Sequence, residues 1–339
     1  LNNRIQKMNV KARIIGTGSY LPEKVLTNKD LEGMVETSDE WIVSRTGIKE
    51  RRLAQSGEHT SYMGVMAARA ALANAQITPE QVDFILVATL TPDYIFPSTA
   101  CLIQKELGAK FAAALDIQAA CTGYLYALSV AKAWIESGVY KNILVVASEK
   151  LSSITDYQDR STCILFGDGA ASCVVSSKGK GLVIENVILG ADGEQANLLM
   201  IPAGGSRNPS SNETLLNRQH YIKMSGNELF KHAVRRMEAA CKESLELAGC
   251  KELDISWLVP HQANMRIIDA ISKRLEHLPP ERIVKTLEKY GNTSASSVGI
   301  ALDELLKKSS VQAGEQILLT AFGGGLTWGA SLLRMSDES

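Results

Sequence analysis

The sequence predicts an α/β protein, on two observations. Apolar β-like runs alternate with Ala-rich helical stretches from end to end, and 339 residues with 45% hydrophobic content can bury a sizeable core. Strand-like runs at 12–16, 82–88, 111–117, 142–147 and 171–176 interleave with helical patterns at 61–75 and 124–131. Such alternation implies βαβ units whose sheet is buried between helices. After the Gly/Lys turn at 178–181 the alternation resumes with 182–189, 230–247, 257–260, 267–275 and 317–320. The repetition is architectural, without strong self-similarity between residues. Between the two halves, the stretch 191–212 is rich in Gly, Pro, Ser and Asn and is expected to be a mobile surface loop bordering a substrate channel.

Four places in this pattern carry chemistry. Cys121 stands where the run 111–117 passes through Gln-Ala-Ala into a helical pattern, with Ala119, Ala120 and Gly123 leaving room for a substrate. A helix N-terminus behind the sulfur favours thiolate, the nucleophilic form. A buried structural cysteine is the bland alternative. His261 follows the apolar run 257–260, and Asn292 lies in a turn opened by Gly291. Either alone reads as ordinary strand-end or turn chemistry. A thiol nucleophile, however, needs an imidazole and a third polar group, and these three supply that set. Last, Gly323-Gly-Gly325 opens from the run 317–320 and presents backbone N–H groups that no side chain obstructs, as an oxyanion site requires.

Rival motifs fail. Gly16-x-Gly18 lacks the third glycine of a dinucleotide fingerprint and Pro22 interrupts the following helix, while no phosphate loop and no H-E-x-x-H occurs. Phe166-Gly-Asp-Gly-Ala170 lacks the acidic repeat a calcium loop needs and reads as a structural turn near the active site. A net charge of −1 gives no general attraction to nucleic acid or an anionic membrane. Six scattered cysteines without C-x-x-C or zinc spacing suit a reducing cytosol, residues 1–7 lack the apolar run of a secretory signal, and the uncharged stretch 117–131 is too short and polar to span a bilayer. A soluble cytoplasmic enzyme without metal is the expectation.

Ala119-Ala-Cys-Thr-Gly123, Val259-Pro-His-Gln-Ala-Asn264, Gly291-Asn-Thr-Ser-Ala295 and Ala321-Phe-Gly-Gly-Gly-Leu-Thr-Trp-Gly329 together resemble the β-ketoacyl-(acyl-carrier-protein) synthase III family, thiolase-like condensing enzymes that begin fatty acid synthesis. Gly16-Thr-Gly-Ser-Tyr-Leu-Pro22 and Thr37-Ser-Asp-Glu-Trp-Ile-Val-Ser-Arg-Thr-Gly-Ile48 extend the likeness, which runs from about Met8 to the C-terminus. Two departures, Thr122 after the cysteine and Leu326 after the glycines, bear on the starter acyl group and not on the reaction type.

The resemblance implies a five-layered αβαβα thiolase fold of two similar halves, 8–178 carrying Cys121 and 179–339 carrying His261 and Asn292. It implies that Cys121 takes the acyl group of an acyl-coenzyme A, its oxyanion held by N–H groups of Cys121 and about Gly324, and that His261 and Asn292 hydrogen-bond the enolate of malonyl-acyl-carrier protein after decarboxylation. Coenzyme A would lie on Thr37, Trp41, Arg45, Arg160 and Asn264, and Phe96 would floor the acyl pocket of a homodimer partner. An aromatic face and guanidinium groups suit an adenine ring with phosphates, although core packing and solvated charge are the plain alternatives. The acidic carrier protein calls for a basic face: Arg266, Lys273 and Arg274 on one helix, Lys231 and Arg235 on another, each by default an ordinary solvated charge. No bound cofactor is implied; the coenzyme A thioester is a substrate. Related enzymes making quinolones, polyketides or hydroxymethylglutaryl thioesters compete within this class, and a non-catalytic acyl-thioester binder or thiol redox sensor competes from outside it.

Overall fold

The computed structural model describes residues 10–273, 275 and 277–336. Among these residues nine strands form one continuous sheet: β1 (Arg13–Tyr20), β2 (Phe84–Ala88), β3 (Ala113–Ile117), β4 (Asn142–Glu149), β5 (Gly169–Ser176), β6 (Gly181–Ala191), β7 (Ile255–Pro260), β8 (Gln316–Gly323) and β9 (Thr327–Ser336). Their order across the sheet is β7-β8-β9-β6-β1-β5-β4-β2-β3. Strands β2, β3 and β4 pair in parallel, as do β7 and β8, and the remaining neighbours are antiparallel. The order contains one arrangement twice. From edge to centre, β3-β2-β4-β5-β1 is matched by β7-β8-β9-β6, with a parallel bridge from Leu258 to Ile283 standing where a further edge strand would be. The two sets meet where β1 pairs β6 at Arg13–Val183 and Ile14–Leu182.

Among the described residues, seven helices of eight or more residues cover these strands: α1 (Asp39–Thr46), α2 (Thr60–Ala75), α3 (Thr99–Leu107), α4 (Gly123–Glu136), α5 (Gly226–Ala248), α6 (Met265–Ser272) and α7 (Ser296–Lys308). Helices α2 and α3 pack on the first strand set, α5 on the second, and α4 and α7 contact strands of both sets and each other. The result is five layers, αβαβα, as the resemblance implies. The two central helices read accordingly: α4 buries Tyr124, Leu125, Ala127, Leu128, Ala131 and Ile135, and α7 is buried from Ser296 through Asp303, because a helix between the two strand sets has little face left for water. The central strands β2 and β5 are buried along their whole length, and β4 from Ile143 on, which is why β2, β5 and 143–148 of β4 read as apolar or small-residue runs.

Gly16 and Gly18 have a packing explanation. A Cβ on either would lie 2.5 or 2.4 Å from a backbone nitrogen of α2, so glycine lets the Ala-rich helix lie directly on β1. The run at 111–117 begins its strand at Ala113, and Phe111 stands 82% exposed. The stretch 191–212 differs from the expected loop. It follows β6, inside the second set and not between the two, and it contains a 3₁₀ helix (Gly193–Leu198), the short strand Leu199–Met200 and the start of a helix (Asn212–Leu216), with Asp192 pairing Arg236 at 3.0 Å. Its turn formers cap these pieces: Asp192 and Ser211 both accept backbone N–H groups. Among the described residues, no helix is long and apolar enough to cross a membrane.

Candidate active site

Cys121 lies in a 3₁₀ turn (Ala120–Thr122) that runs straight into α4, after the parallel strand β3. Parallel strands release their connecting turns at their carboxyl ends, where sites on such sheets collect. Gly323, the last residue of β8, is pressed against this turn: a Cβ there would come 2.7 Å from the Cys121 nitrogen. Gly324 follows, packed against Leu199. Thr327 fastens the two segments, its hydroxyl donating to the Ala119 carbonyl at 3.1 Å and meeting Thr122 Oγ1 at 3.0 Å. Thr122, an unusual residue for the motif, is thus fully buried in a hydroxyl pair, and Leu326 is fully buried as well.

His261 follows β7, its N–H donating to the Thr320 carbonyl of β8 at 2.8 Å. Its Nδ1 lies 2.6 Å from Ser297 Oγ at the start of α7. The Gln262 N–H donates to the same Ser297 oxygen, which favours Ser297 giving its own proton to Nδ1 and so leaves the ring proton on Nε2. Burial pushes the imidazole down to about 4, so the ring is neutral at physiological pH. A neutral ring with a proton on Nε2 is a hydrogen-bond donor. Gln262 ties the turn together, donating to the Pro260 and Val284 carbonyls while its Oε1 accepts from the Thr286 and Leu287 N–H groups.

Asn292 is held by its backbone, donating to Leu165 O and accepting from Gly167 N. The Phe166–Ala170 turn therefore does stand beside the site. Gly167 is required there because a Cβ would fall 2.3 Å from the Tyr290 carbonyl. Beneath both turns Arg51 is buried without a carboxylate partner among the described residues, donating to the Leu26 and Ile164 carbonyls and to Asn28 Oδ1, and burial lowers it to about 10. The Asn292 Oδ1 accepts the Ser294 N–H at 2.8 Å, leaving its Nδ2 hydrogens uncommitted among the described residues.

The segment 292–297 gathers the site. Asn292 begins it, Ser294 turns its hydroxyl to the Cys121 sulfur, and Ser297 holds His261. Cys121, His261 and Asn292 are 7%, 3% and 7% exposed, a closed and nearly dry pocket. That closure opposes one expectation. A helix N-terminus favours thiolate, yet burial pushes the Cys121 thiol up to about 12, against smaller lowering by the Ser294 hydroxyl and the Cys121 N–H.

Trp41 and Arg45 sit on α1, and Arg160 reaches Trp41 from a separate short helix, its guanidinium 4.7 Å from the ring centroid against 6.0 Å for Arg45. A cleft of about 370 Å³ lined by Met34, Val35, Glu36, Gln158 and Arg160 adjoins them, and the buried Thr37 hydroxyl has no hydrogen-bond partner among the described residues. Asn264 has both ends of its amide engaged, Oδ1 capping α6 through Arg266 N and Nδ2 donating to the Arg45 carbonyl. It therefore joins the Trp41 helix to the His261 turn. Arg266, Lys273, Lys231 and Arg235 are exposed, and Arg266 lies over Phe230 at 5.6 Å, which brings the two basic helices side by side. Arg274 lies outside the described residues. Phe96 is 83% exposed, close in sequence to exposed Tyr94 and Ile95. Among the described residues no group of three His, Cys, Asp or Glu side chains is placed to hold a metal.

Sequence reasoning missed Ser297, Ser294, Gln262 and Glu149. The serines were hidden in a run that reads as turn chemistry. Glu149 had a signal: a carboxylate ending an otherwise apolar strand.

A thiol, an imidazole, an amide and glycine N–H groups at the strand ends of an αβαβα fold define a thiolase-like condensing enzyme. Residues 115–193 match the family model for 3-oxoacyl-(acyl-carrier-protein) synthase III and residues 245–335 match that for its C-terminal region. A β-ketoacyl-(acyl-carrier-protein) synthase III of Chlamydia pneumoniae is 59% identical over 96% of this chain and 97% of its own length. The crystal structure of 3-oxoacyl-(acyl-carrier-protein) synthase III from Aquifex aeolicus VF5 superposes with a TM-score of 0.87 at 51% identity, covering 95% of this chain and 99% of that one. The priming β-ketosynthase of the R1128 polyketide pathway gives 0.88 at 36% identity, covering 98% of both chains. The chain belongs to the 3-oxoacyl-(acyl-carrier-protein) synthase III family.

Proposed function

We propose that this chain joins an acyl-coenzyme A starter, acetyl first among them, to malonyl-acyl-carrier protein, releasing carbon dioxide and coenzyme A and forming the 3-ketoacyl-acyl-carrier protein that initiates fatty acid synthesis. The observation that carries the reading is the 292–297 segment, which brings one polar group to Cys121 and another to His261. The Cys121 thiolate attacks the starter thioester and its oxyanion is met by N–H groups at Cys121 and Gly324. Malonyl thioester then loses carbon dioxide. His261 Nε2–H and Asn292 Nδ2–H donate to the thioester oxygen as the enolate forms, and the carbanion attacks the acyl-cysteine. The neutral imidazole suits this role, since a donor is wanted and not a base.

Thr37, Trp41, Arg45 and Arg160 are proposed to hold coenzyme A; the cleft beside Trp41 and the unpartnered Thr37 hydroxyl support this. Asn264 fits better as the strut of that site than as a ligand, because its amide is already engaged. Arg266, Lys273, Lys231 and Arg235 form the proposed carrier-protein face, with Arg274 carried over from sequence. Halves 8–178 and 179–339, a cytoplasmic location and independence of metal or redox cofactor complete the reading. A homodimer is supported by β3, whose outer edge pairs with no strand among the described residues, and by the exposed Ile95, Phe96 and Phe111, since bare edges and apolar patches are normally covered.

The likeness to a polyketide-priming ketosynthase makes other starters the second reading. A panel of radiolabelled acyl-coenzyme A starters with malonyl-carrier protein decides: a 3-ketoacyl product from acetyl-coenzyme A is expected, and activity only with other starters favours the polyketide reading. Light scattering gives the dimer mass.

A further inference from the structure

Glu149 ends β4 with its side chain fully buried, and among the described residues no ammonium or guanidinium pairs with it. Its two oxygens differ. Oε2 accepts three hydrogen bonds, from Thr91 Oγ1 at 2.7 Å, the Leu90 N–H at 3.1 Å and Thr89 Oγ1 at 3.3 Å. Oε1 is buried and accepts none among the described residues. A carboxyl whose one oxygen is filled by donors must carry any proton on the other, and an empty buried acceptor is costly unless it has a use.

The group that faces this carboxyl is the Ser294 hydroxyl, which is also buried without a completed hydrogen bond. Ser294 has a positive φ of 51°, a conformation ordinary side chains seldom adopt, and the Asn292 Oδ1 bond to its N–H supports it. The same hydroxyl also lies near enough to the Cys121 sulfur to lower its pKa. Two buried oxygens without hydrogen-bond partners among the described residues thus stand close to the nucleophile.

We propose that Ser294 and Glu149 form a proton relay in which the Cys121 S–H proton passes to Ser294 Oγ while the Ser294 proton passes to Glu149 Oε1. One S–H and one O–H bond break and two O–H bonds form, with no change of oxidation state. The thiolate then faces the re-formed Ser294 O–H, and the Glu149 O–H fills Ser294 Oγ. Coenzyme A thiolate, leaving in the acylation step, takes its proton from solvent. When condensation releases Cys121 as thiolate, the relay runs backward. Ser294 touches the reacting thiol, and Glu149 is a positioning residue that acts through it.

The surroundings fit a group that gains and loses a proton. Burial pushes Glu149 up to about 7, and its charge raises Cys121 in turn. Thr89, Leu90 and Thr91 face it from the turn after β2, and Ser294 from the turn before α7. Lys150, next in the chain, turns away to the Gln55 and Glu58 carbonyls, and the His261 shift has burial alone as its cause. Cys121 is the titratable group coupled to it.

The inference rests on Cys121 being the acylated residue, and its test separates the two. Single-turnover acylation by acetyl-coenzyme A is followed from pH 5.5 to 9 by quenched intact mass, with the adduct mapped by digestion. The thiolate with protonated Glu149 has the same proton count as the thiol with ionised Glu149, so its population levels off once the pair has lost one proton. The native rate should therefore rise to about pH 7 and level above it. In Glu149→Gln the proton has no acceptor inside the protein. The rate should drop about tenfold or more at pH 7 and then climb about tenfold per pH unit through pH 9, as a thiol losing its proton to water does. Ser294→Ala should reproduce that profile, and the double variant should add nothing further, a signature that lost packing would not give. If either variant levels off with the native protein, or the native rate itself climbs through pH 9, the relay is wrong while acylation of Cys121 stands. No adduct on Cys121 at any pH would overturn both. Should Glu149→Gln fail to fold, the Ser294→Ala profile decides alone.

Discussion

In the first strand set, β2 ends at Ala88 and the turn after it gives Thr89 and Thr91 to the buried Glu149; at the matching place in the second set, β7 ends at Pro260 and the turn gives His261 to the pocket. The correspondence continues. The turn after β3 carries Cys121, and the chain after the Ile283 bridge leads to Asn292. Strand β4 ends in Glu149, whereas its counterpart β8 ends in Gly323 against the cysteine nitrogen. One topology thus places nucleophile and carboxyl on one side of the seam and imidazole, amide and bare N–H groups on the other. In the proposed reaction the first side does the covalent work and the second stabilises charge. Equivalent strand ends can take opposite duties because a strand fixes where its turn points and leaves the turn's residues free.

The sharpest way to break this division is Cys121→Ser. Loss of the polarisable thiol should cost about four decades or more in condensation, and intact mass after acetyl-coenzyme A should show no adduct. An undiminished rate would put the nucleophile elsewhere.

Next in size come His261→Ala and Asn292→Ala. Each should lower malonyl decarboxylation by about two to four decades, read as carbon dioxide release, while Cys121 still accepts an acyl group. Equal loss of both half-reactions would erase the contrast between the two sides.

Stability offers a third comparison, because His261 is buried neutral. Its folded value of about 4 lies below the ordinary 6.5, so its contribution is present above pH 6.5 and is lost as pH falls through 4. The loss approaches about 3 kcal/mol. Urea unfolding of the native protein and His261→Gln should diverge across that window. Parallel curves would mean that the ring is solvated.

The smallest effect is expected at the surface. Arg266→Glu should reduce kcat/KM for malonyl-carrier protein on the order of fivefold at low salt, with acylation by acetyl-coenzyme A unchanged, since an exposed charge is worth little and is screened. An equal loss with both substrates would relocate Arg266 from a docking face to the site.

The α/β alternation, Cys121, His261, Asn292 and the glycine triplet were legible in the chain because strand and helix periods are local and because these residue types are chemically distinctive. The motif Val259-Pro-His-Gln-Ala-Asn264 announced its histidine, but the duties of Gln262 and Asn264 appeared only once the turns at 284–287 and Arg45 were beside them. The stretch 191–212 misled for the opposite reason: residues that favour turns also cap short helices, and only the neighbouring strands and helices decide between the two. By itself the sequence determined the main alternation of strands and helices and which groups can do the chemistry. The tertiary structure decided the electrostatics. Whether a thiol, an imidazole or a carboxyl holds its proton depends on burial and on neighbours as distant in sequence as Cys121, Glu149 and Ser294, and desolvation arises only when the layers close.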